Sequence, residues 1–286
     1  MNPSDYKKID ELVDPSKIFD LSGQVGLITG GAGNMGRNFA DVLSRSGARI
    51  ALSDSNETNL KKAAAEIGKT TGKIIEIYHN DVSDERSVKE LFRNIKQQFG
   101  RLDFFIHNVM NKPEGYYKKF SEYSIQTWNQ VMESNLGGAF LCCREAVDIM
   151  KTQGAGSIVL TSSIYGIVGP DQRIYANCKK DTNLYDKENA LNLPGVYVAS
   201  KGGLNAFAKY LATLVANLGI RVNILIPGGV FDSQDASFHT EYIHRTPLGR
   251  MAVWSDFNGA ILFLVSAASR YMTGAELVID GGWRAW

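Results

Sequence analysis

The sequence is poor in cysteine. Only Cys142, Cys143 and Cys178 occur among 286 residues. An odd count with two adjacent thiols is not a disulfide framework, so a reducing, cytoplasmic setting is expected. An excess of one charge is lacking as well: lysine and arginine total 31 against 30 acidic residues, a formal net charge of +1. Phosphate backbones call for a basic surplus, so no nucleic-acid partner is expected. Long hydrophobic runs are absent. The longest, Ile220–Gly229 and Ala260–Ala268, fall far short of the roughly 20 residues of a membrane helix, and no membrane association is expected. The opening stretch MNPSDYKKIDELVDPSKIFD is charged throughout and offers no apolar core for a signal peptide. The four histidines, His79, His107, His239 and His244, have neither finger-like nor H-E-x-x-H spacing, so no metal site is expected. Ser162 and Ser163 lack the G-x-S-x-G elbow of a hydrolase nucleophile.

What is present is an ordinary globular composition, 44% hydrophobic and 21% charged, in a chain long enough for one full core. The first 20 residues read as an arm, and one domain is expected over residues 21–286. Seven short apolar runs mark strands: Gln24–Thr29, Arg49–Ser53, Lys73–His79, Phe104–His107, Ser157–Thr161, Ile220–Ile226 and Leu277–Ile279. Their apolar character is nearly continuous, as in strands covered on both faces. Between them lie helical stretches at Met35–Ser46, Asn56–Lys69, Asp84–Phe99, Ile125–Met150, Tyr197–Leu218 and Asp256–Ser266. Such alternation implies a doubly wound parallel sheet, an α/β Rossmann fold in three α/β/α layers. One polar stretch, at about residues 170–195, fits neither pattern.

Two clusters carry chemistry. Thr29-Gly30-Gly31-Ala32-Gly33-Asn34-Met35-Gly36 links the first strand to the first helix, and its Gly31, Gly33 and Gly36 have the G-x-G-x-x-G spacing. That pattern gives a tight turn, a close backbone approach to a pyrophosphate and a helix N-terminus aimed at its charge. A plain strand-to-helix turn would also explain the glycines. Asp54 ends the second strand, 18 residues beyond Gly36, where a carboxylate can accept from a ribose diol; a helix N-cap is the plainer alternative. Ser53, Ser55 and Asn56 around it are uncharged. With no arginine among them for a 2′-phosphate, NAD is favoured over NADP. In the second cluster, Tyr197 and Lys201 stand at i and i+4 and share one helix face. A cation beside a phenol favours phenolate, as a general acid/base for an alcohol–ketone pair requires. A second Y-x-x-x-K, Tyr175 to Lys179, competes with it.

Taken together, the landmarks resemble the short-chain dehydrogenase/reductase family over residues 21–286. They are TGGAGNMG at 29–36, Asp54, Asp81-Val82, His107-Asn108, Asn135 within ESNLGGAF, GSIVLTSS at 156–163, YVASK at 197–201, GIRVNILIPGGV at 219–230 and TGAELVIDGGW at 273–283. The resemblance implies a catalytic set of Asn135, Ser163, Tyr197 and Lys201. In it Ser163 holds the substrate oxygen, Tyr197 exchanges the proton, Lys201 assists it and Asn135 positions a water. It also implies cofactor contacts from Gly30, Gly33, Asn34, Met35, Gly36, Asp54, Asp81, Val82, Asn108, Tyr197, Lys201, Pro227, Gly228 and Val230. Tyr175 is then a decoy, because the family's sequence after its lysine continues like GGLNAFAKYLA after Lys201.

Three positions depart from the family pattern. Asn34 replaces the usual middle glycine, Met110 ends a segment that usually reads N-N-A-G, and Asp232 stands near the place of a usual threonine. The 33 residues between Ser163 and Tyr197 are also more than is usual. That insertion, RTPLGRM at 245–251 and the ending DGGWRAW resemble gluconate 5-dehydrogenases and oxidoreductases of acidic-sugar gene clusters. The insertion and the segment at about 231–250 are polar, with Asp171, Gln172, Arg173, Lys179, Lys180, Asp181, Gln234, His239, His244 and Arg245. They predict a small polar substrate: a sugar, polyol or hydroxy acid. The resemblance further implies a homo-oligomer, a tetramer, pairing Ile125–Met150 and Tyr197–Leu218 across two-fold axes. The small residues Gly137, Gly138, Ala139, Gly202, Gly203 and Ala206 would permit close approach. Two rival functions stand beside the oxidoreductase. One is an epimerase or dehydratase with bound NAD, and the other is a silent NAD-binding regulator.

Overall fold

The computed structural model describes residue 14, residues 17–184 and residues 186–286. Most of the arm expected over residues 1–20 lies outside the described residues. Each apolar run becomes a strand: β1 (Val25–Thr29), β2 (Arg49–Asp54), β3 (Ile75–His79), β4 (Phe104–His107), β5 (Gly156–Thr161), β6 (Ile220–Pro227) and β7 (Glu276–Ile279). They form one parallel sheet in the order β3-β2-β1-β4-β5-β6-β7. The direction of winding reverses between β1 and β4. Their carboxyl ends, Thr29 beside His107, therefore open into the crevice where such sheets bind ligands.

Eight α-helices connect the strands among the described residues: α1 (Asn34–Arg45), α2 (Glu57–Thr71), α3 (Glu85–Phe99), α4 (Ile125–Met132), α5 (Gly138–Gln153), α6 (Gly195–Val215), α7 (Ala236–His244) and α8 (Asn258–Val265). Apolar stripes put them on two faces. Phe39 and Leu43 of α1, Leu60 and Ala63 of α2, and Ile261 and Leu264 of α8 pack on one side of the sheet. Val88 and Leu91 of α3, Cys142 and Cys143 of α5, and Leu204 and Ala208 of α6 pack on the other. The two adjacent thiols are fully buried, as small apolar groups.

Two elements differ from expectation. The single helix expected over Ile125–Met150 is α4 and α5 joined by a wide π turn, Glu133–Gly137. Single π turns inside α-helices recur at functional sites, and this one carries Asn135. The loop expected at about 231–250 contains α7. Its N-cap Asp235 accepts from the backbone N–H of Ser237 at 2.8 Å, and Phe238 and Tyr242, four residues apart, bury one face.

Candidate active site

The turn after β1 is built by backbone contacts. Gly30 has φ +68°, and a Cβ there would lie 2.4 Å from the carbonyl oxygen of Asn108. A Cβ on Gly36 would lie 2.4 Å from the carbonyl oxygen of Gly30. Gly33 is different, because the nearest atom to its Cβ position is 3.5 Å away. The fold itself does not need glycine there, and the backbone is left open to close approach from the cleft. Gly33 is also the N-cap of α1 and offers no side-chain oxygen to the first-turn amides, and no acid lies in that turn. A positive helix end is thereby left open to a diphosphate. Asp54 faces the same cleft. Its carboxylate accepts from Ala32 N at 3.1 Å and Asn56 N at 3.0 Å, which fixes its direction. It does not cap α2; Asn56 does that, accepting from Asn59 N at 2.9 Å. Arg37, the residue after Gly36, lies close by. Its guanidinium is held by Ala32 O at 2.9 Å and Glu66 at 3.1 Å.

These residues fit a dinucleotide. Gly30, Gly33, Asn34, Met35, Asp54, Asn108, Pro227, Gly228 and Val230 line one cleft of about 540 Å³, together with Ser163, Tyr197 and Lys201. Asp81 and Val82 line an adjoining cavity that shares Gly30, Asp54, Val109 and Met110 with it. Gly36 sits behind the turn. Asn34, the departure from glycine, points its amide at Asp232 Oδ1, 3.4 Å away, so two of the three unusual positions meet across the cleft.

At the other end, Ser163 follows β5 and Tyr197 stands in the first turn of α6. Side chain–backbone bonds hold these two segments together. Ser162 Oγ donates to Lys201 O at 3.2 Å, and Asn205 Nδ2 donates to Gly166 O at 3.1 Å. Ser163 Oγ accepts from Tyr165 N at 3.2 Å. Burial raises the Tyr197 phenol above its ordinary value, and a hydrogen bond with Ser163 opposes the rise. Lys201 is 4% exposed, and burial lowers its ammonium to about 8. The expected lowering of Tyr197 by Lys201 is not realised in the protein alone. Lys201 Nζ donates to Thr161 O at 2.8 Å and stands 6.0 Å from the Tyr197 ring centroid.

Asn135 is not on the cleft wall. It is fully buried. Its Oδ1 accepts from Asn111 N at 3.0 Å, and its Nδ2 reaches Ser200 Oγ at 3.2 Å and Met110 Sδ at 3.3 Å. The unusual Met110 is therefore a direct neighbour of Asn135. His107 lies deeper, 3.1 Å from Thr29 Oγ1 through Nδ1. Burial, then the Lys201 charge, pushes its pKa down to about 3, so its ring is neutral.

The insertion is packed against the rest of the chain. Asp171 binds Arg245 at 2.8 Å, Thr182 Oγ1 donates to Asp235, and Ile174 is buried against Phe238, Tyr242 and Met251. It brings Tyr175, Leu191, Asn192 and Leu193 to the cleft lined by Ser163 and Tyr197. Of the polar residues that predicted a polar substrate, only Gln234 lines that cleft. Asp171 is held between Arg173 and Arg245, while Ile174, Tyr175, Leu191 and Leu193 face inward. Trp283 stacks on Tyr242 with centroids 4.2 Å apart.

A family model described as short chain dehydrogenase matches residues 24–194, and one described as enoyl-(acyl carrier protein) reductase matches residues 181–284. The chain belongs to the short-chain dehydrogenase/reductase family. This short-chain dehydrogenase is 32% identical over 275 residues to cyclopentanol dehydrogenase of Comamonas sp., covering 93% of this chain and 98% of that relative. It superposes on a short chain dehydrogenase from Leptospira borgpetersenii with bound NAD+ at a TM-score of 0.80 and 31% identity, over 96% of this chain and 97% of that one. It superposes on a gluconate 5-dehydrogenase from Burkholderia cenocepacia, in complex with NADP and tartrate, at a TM-score of 0.80 and 25% identity, over 94% and 98% of the two chains. The short-chain dehydrogenase is thus an oxidoreductase of that family. No helix among its described residues is long and apolar enough to cross a membrane.

Proposed function

We propose that the protein interconverts a secondary alcohol and a ketone with NAD(H), using Ser163, Tyr197 and Lys201. The observation that carries this reading is the single cleft that joins these three side chains to Asp54 and the open N-terminus of α1. A bound nicotinamide would supply the hydride chemistry. Ser163 Oγ is placed to hold the substrate oxygen. Burial favours the protonated Tyr197 phenol, which gives its proton to a ketone oxygen in reduction, and its phenolate takes the proton of the alcohol in oxidation. The Lys201 ammonium stabilises the phenolate of the oxidative direction. Asn135 is a positioning residue that ties the π turn to Asn111 and Ser200. An epimerase would leave bound NAD unchanged, and a silent regulator would bind without turnover. A panel of secondary alcohols with NAD+, read by NADH absorbance, separates the three.

The preference for NAD(H) is supported by Asp54, whose carboxylate would repel a 2′-phosphate while accepting from a free diol. The relatives with NAD+ and with NADP make this a point for measurement. Asp54→Ala should narrow the ratio of kcat/KM for NAD+ over NADP+ by about tenfold or more, one charge-assisted hydrogen bond being worth about 1.5–3 kcal/mol. Equal use of both cofactors by the unaltered enzyme would contradict the preference.

The protein is also taken to be a homotetramer. Gly138 and Gly203 serve their own chain, facing Val82 and Leu136, so they do not supply the close approach expected of them. Support comes from neighbours on the same helices: Phe140, Tyr210 and Leu214 are exposed by 49%, 61% and 56%. Light scattering should give a tetrameric mass; a monomer at micromolar concentration would contradict it.

A further inference from the structure

The residues around Ser163 and Tyr197 describe the body of the substrate better than the composition of the loops does. Tyr116, Tyr117, Tyr165 and Phe238 are all nearly buried, with faces or edges on the cleft. Tyr175 completes the wall. Its ring stacks on Phe238 with centroids 5.2 Å apart at 28°. Phe238 packs on Tyr242 at 5.6 Å, and Tyr242 stacks on Trp283. The Tyr242 hydroxyl in turn accepts from Gly229 N at 2.5 Å. The chain of rings fixes the insertion, α7 and the C-terminal segment against the loop after β6, so Tyr175 is held in place from behind.

Two of the amides that line this cleft, Gln234 and Asn192, are already bonded within the chain. Gln234 donates to Val230 O at 2.7 Å and accepts from Asp232 N at 2.8 Å. Asn192 Nδ2 donates to Tyr117 O and to Ala190 O. At the rim, Lys112 stands 5.7 Å from the Tyr117 ring centroid, in the field of Asp232. A polyol would bring several hydroxyls against ring faces and the spent Gln234 and Asn192 amides, leaving more of them unpaired than the Tyr165 and Thr161 hydroxyls could serve. A compact aliphatic ring would fill the same space with carbon and leave a single oxygen for Ser163 and Tyr197.

We propose that Tyr175 is a specificity-determining residue whose ring, braced on Phe238, selects a cyclic secondary alcohol or ketone over an open-chain polyol. This rests on the proposed alcohol–ketone activity and names its substrate class. In the forward reaction a ring carbinol loses its C–H hydride to NAD+ and its O–H proton to the Tyr197 phenolate, giving the cyclic ketone, NADH and the Tyr197 phenol.

The test compares cyclohexanol with sorbitol as substrates for NAD+ reduction by the full-length enzyme and by Tyr175→Ala, Tyr175→Leu and Tyr175→Phe. The unaltered enzyme should favour cyclohexanol in kcat/KM by at least about 100-fold, the upper range of what a hydrophobic pocket discriminates. Tyr175→Ala should raise KM for cyclohexanol about tenfold, with the NAD+ dissociation constant unchanged in a fluorescence titration. Tyr175→Leu, which keeps bulk without a flat face, should fall between, and Tyr175→Phe should retain the preference. Equal or better turnover of sorbitol overturns the proposal and leaves the alcohol–ketone reading intact. So does a Tyr175→Leu or Tyr175→Ala enzyme with unaltered kinetics. If NAD+ binds and neither alcohol is oxidised, nor cyclohexanone reduced by NADH, both readings fail.

Discussion

Tyr197→Phe should lower kcat by about 10²–10⁴-fold in both directions, the usual worth of a positioned proton-transfer group. The substitution removes one oxygen and keeps the ring, so folding and NAD+ affinity should change little. Tyr175→Phe should leave kcat nearly intact although Tyr175 lines the same cleft. The two tyrosines differ in what stands behind them. Tyr197 and Lys201 share a face of α6, and Lys201 is buried with its Nζ 2.8 Å from Thr161 O. Tyr175 ends a short 3-10 turn, Gln172–Tyr175, and the backbone of Lys179 is tied to Asp235 at 3.3 Å. The second Y-x-x-x-K is not on a helix, so its lysine is not brought beneath its phenol. Steady-state kinetics on the two variants measure the difference directly; a larger loss in Tyr175→Phe would reverse the assignment.

Gly36→Ala and Gly33→Ala should fail in different ways. The new Cβ at residue 36 would sit 2.4 Å from Gly30 O and 2.9 Å from Gly31 Cα. Both are backbone atoms, and the turn that carries them is pinned by Gly31 N to Ser53 O at 3.0 Å and Gly33 N to Gly30 O at 3.3 Å. Relief requires moving the turn, at about 1–3 kcal/mol, so the melting temperature should fall and NAD+ affinity with it, by roughly 10- to 100-fold. The Cβ at residue 33 meets nothing closer than 3.5 Å. The melting temperature of Gly33→Ala should be unchanged while its NAD+ dissociation constant rises by a similar factor, because the methyl occupies space the cofactor needs. Thermal melts and fluorescence titrations of the two variants check this. Normal NAD+ binding by Gly33→Ala would place the diphosphate elsewhere.

Much of the fold was legible because both of its signals are local. Strands buried on two faces must be apolar along their length, and the run Phe104–His107 needs no partner to be recognised. Helix stripes and the glycine turn are likewise written into neighbouring residues. The parts that were not legible depend on contacts far apart in sequence. The π turn at Glu133–Gly137 has no propensity signature; it coincides with the bonds Asn135 makes to Asn111 and Ser200. Helix α7 was hidden by its polar exposed side, although Phe238 and Tyr242 at four-residue spacing carried the signal. The inward face of the insertion is hidden from composition for the same reason. Composition averages Arg173, whose guanidinium is spent on Asp171 at the surface, with Tyr175, which faces the cleft. Among the site residues, Tyr197 and Lys201 came from helical spacing. The pressure of burial on both, and the hydrogen bond from Ser163, required the packed cleft.

The central claim is net hydride transfer between a secondary alcohol and NAD+, with Tyr197 handling the proton. The measurement that bears on it most directly is the stoichiometry of NADH and ketone formed from one secondary alcohol, for the unaltered enzyme and for Tyr197→Phe. One NADH per ketone, abolished to within about 10²–10⁴-fold in the variant, is the predicted result. NAD that remains bound and unchanged while the substrate is altered, or equal turnover by the variant, would contradict it.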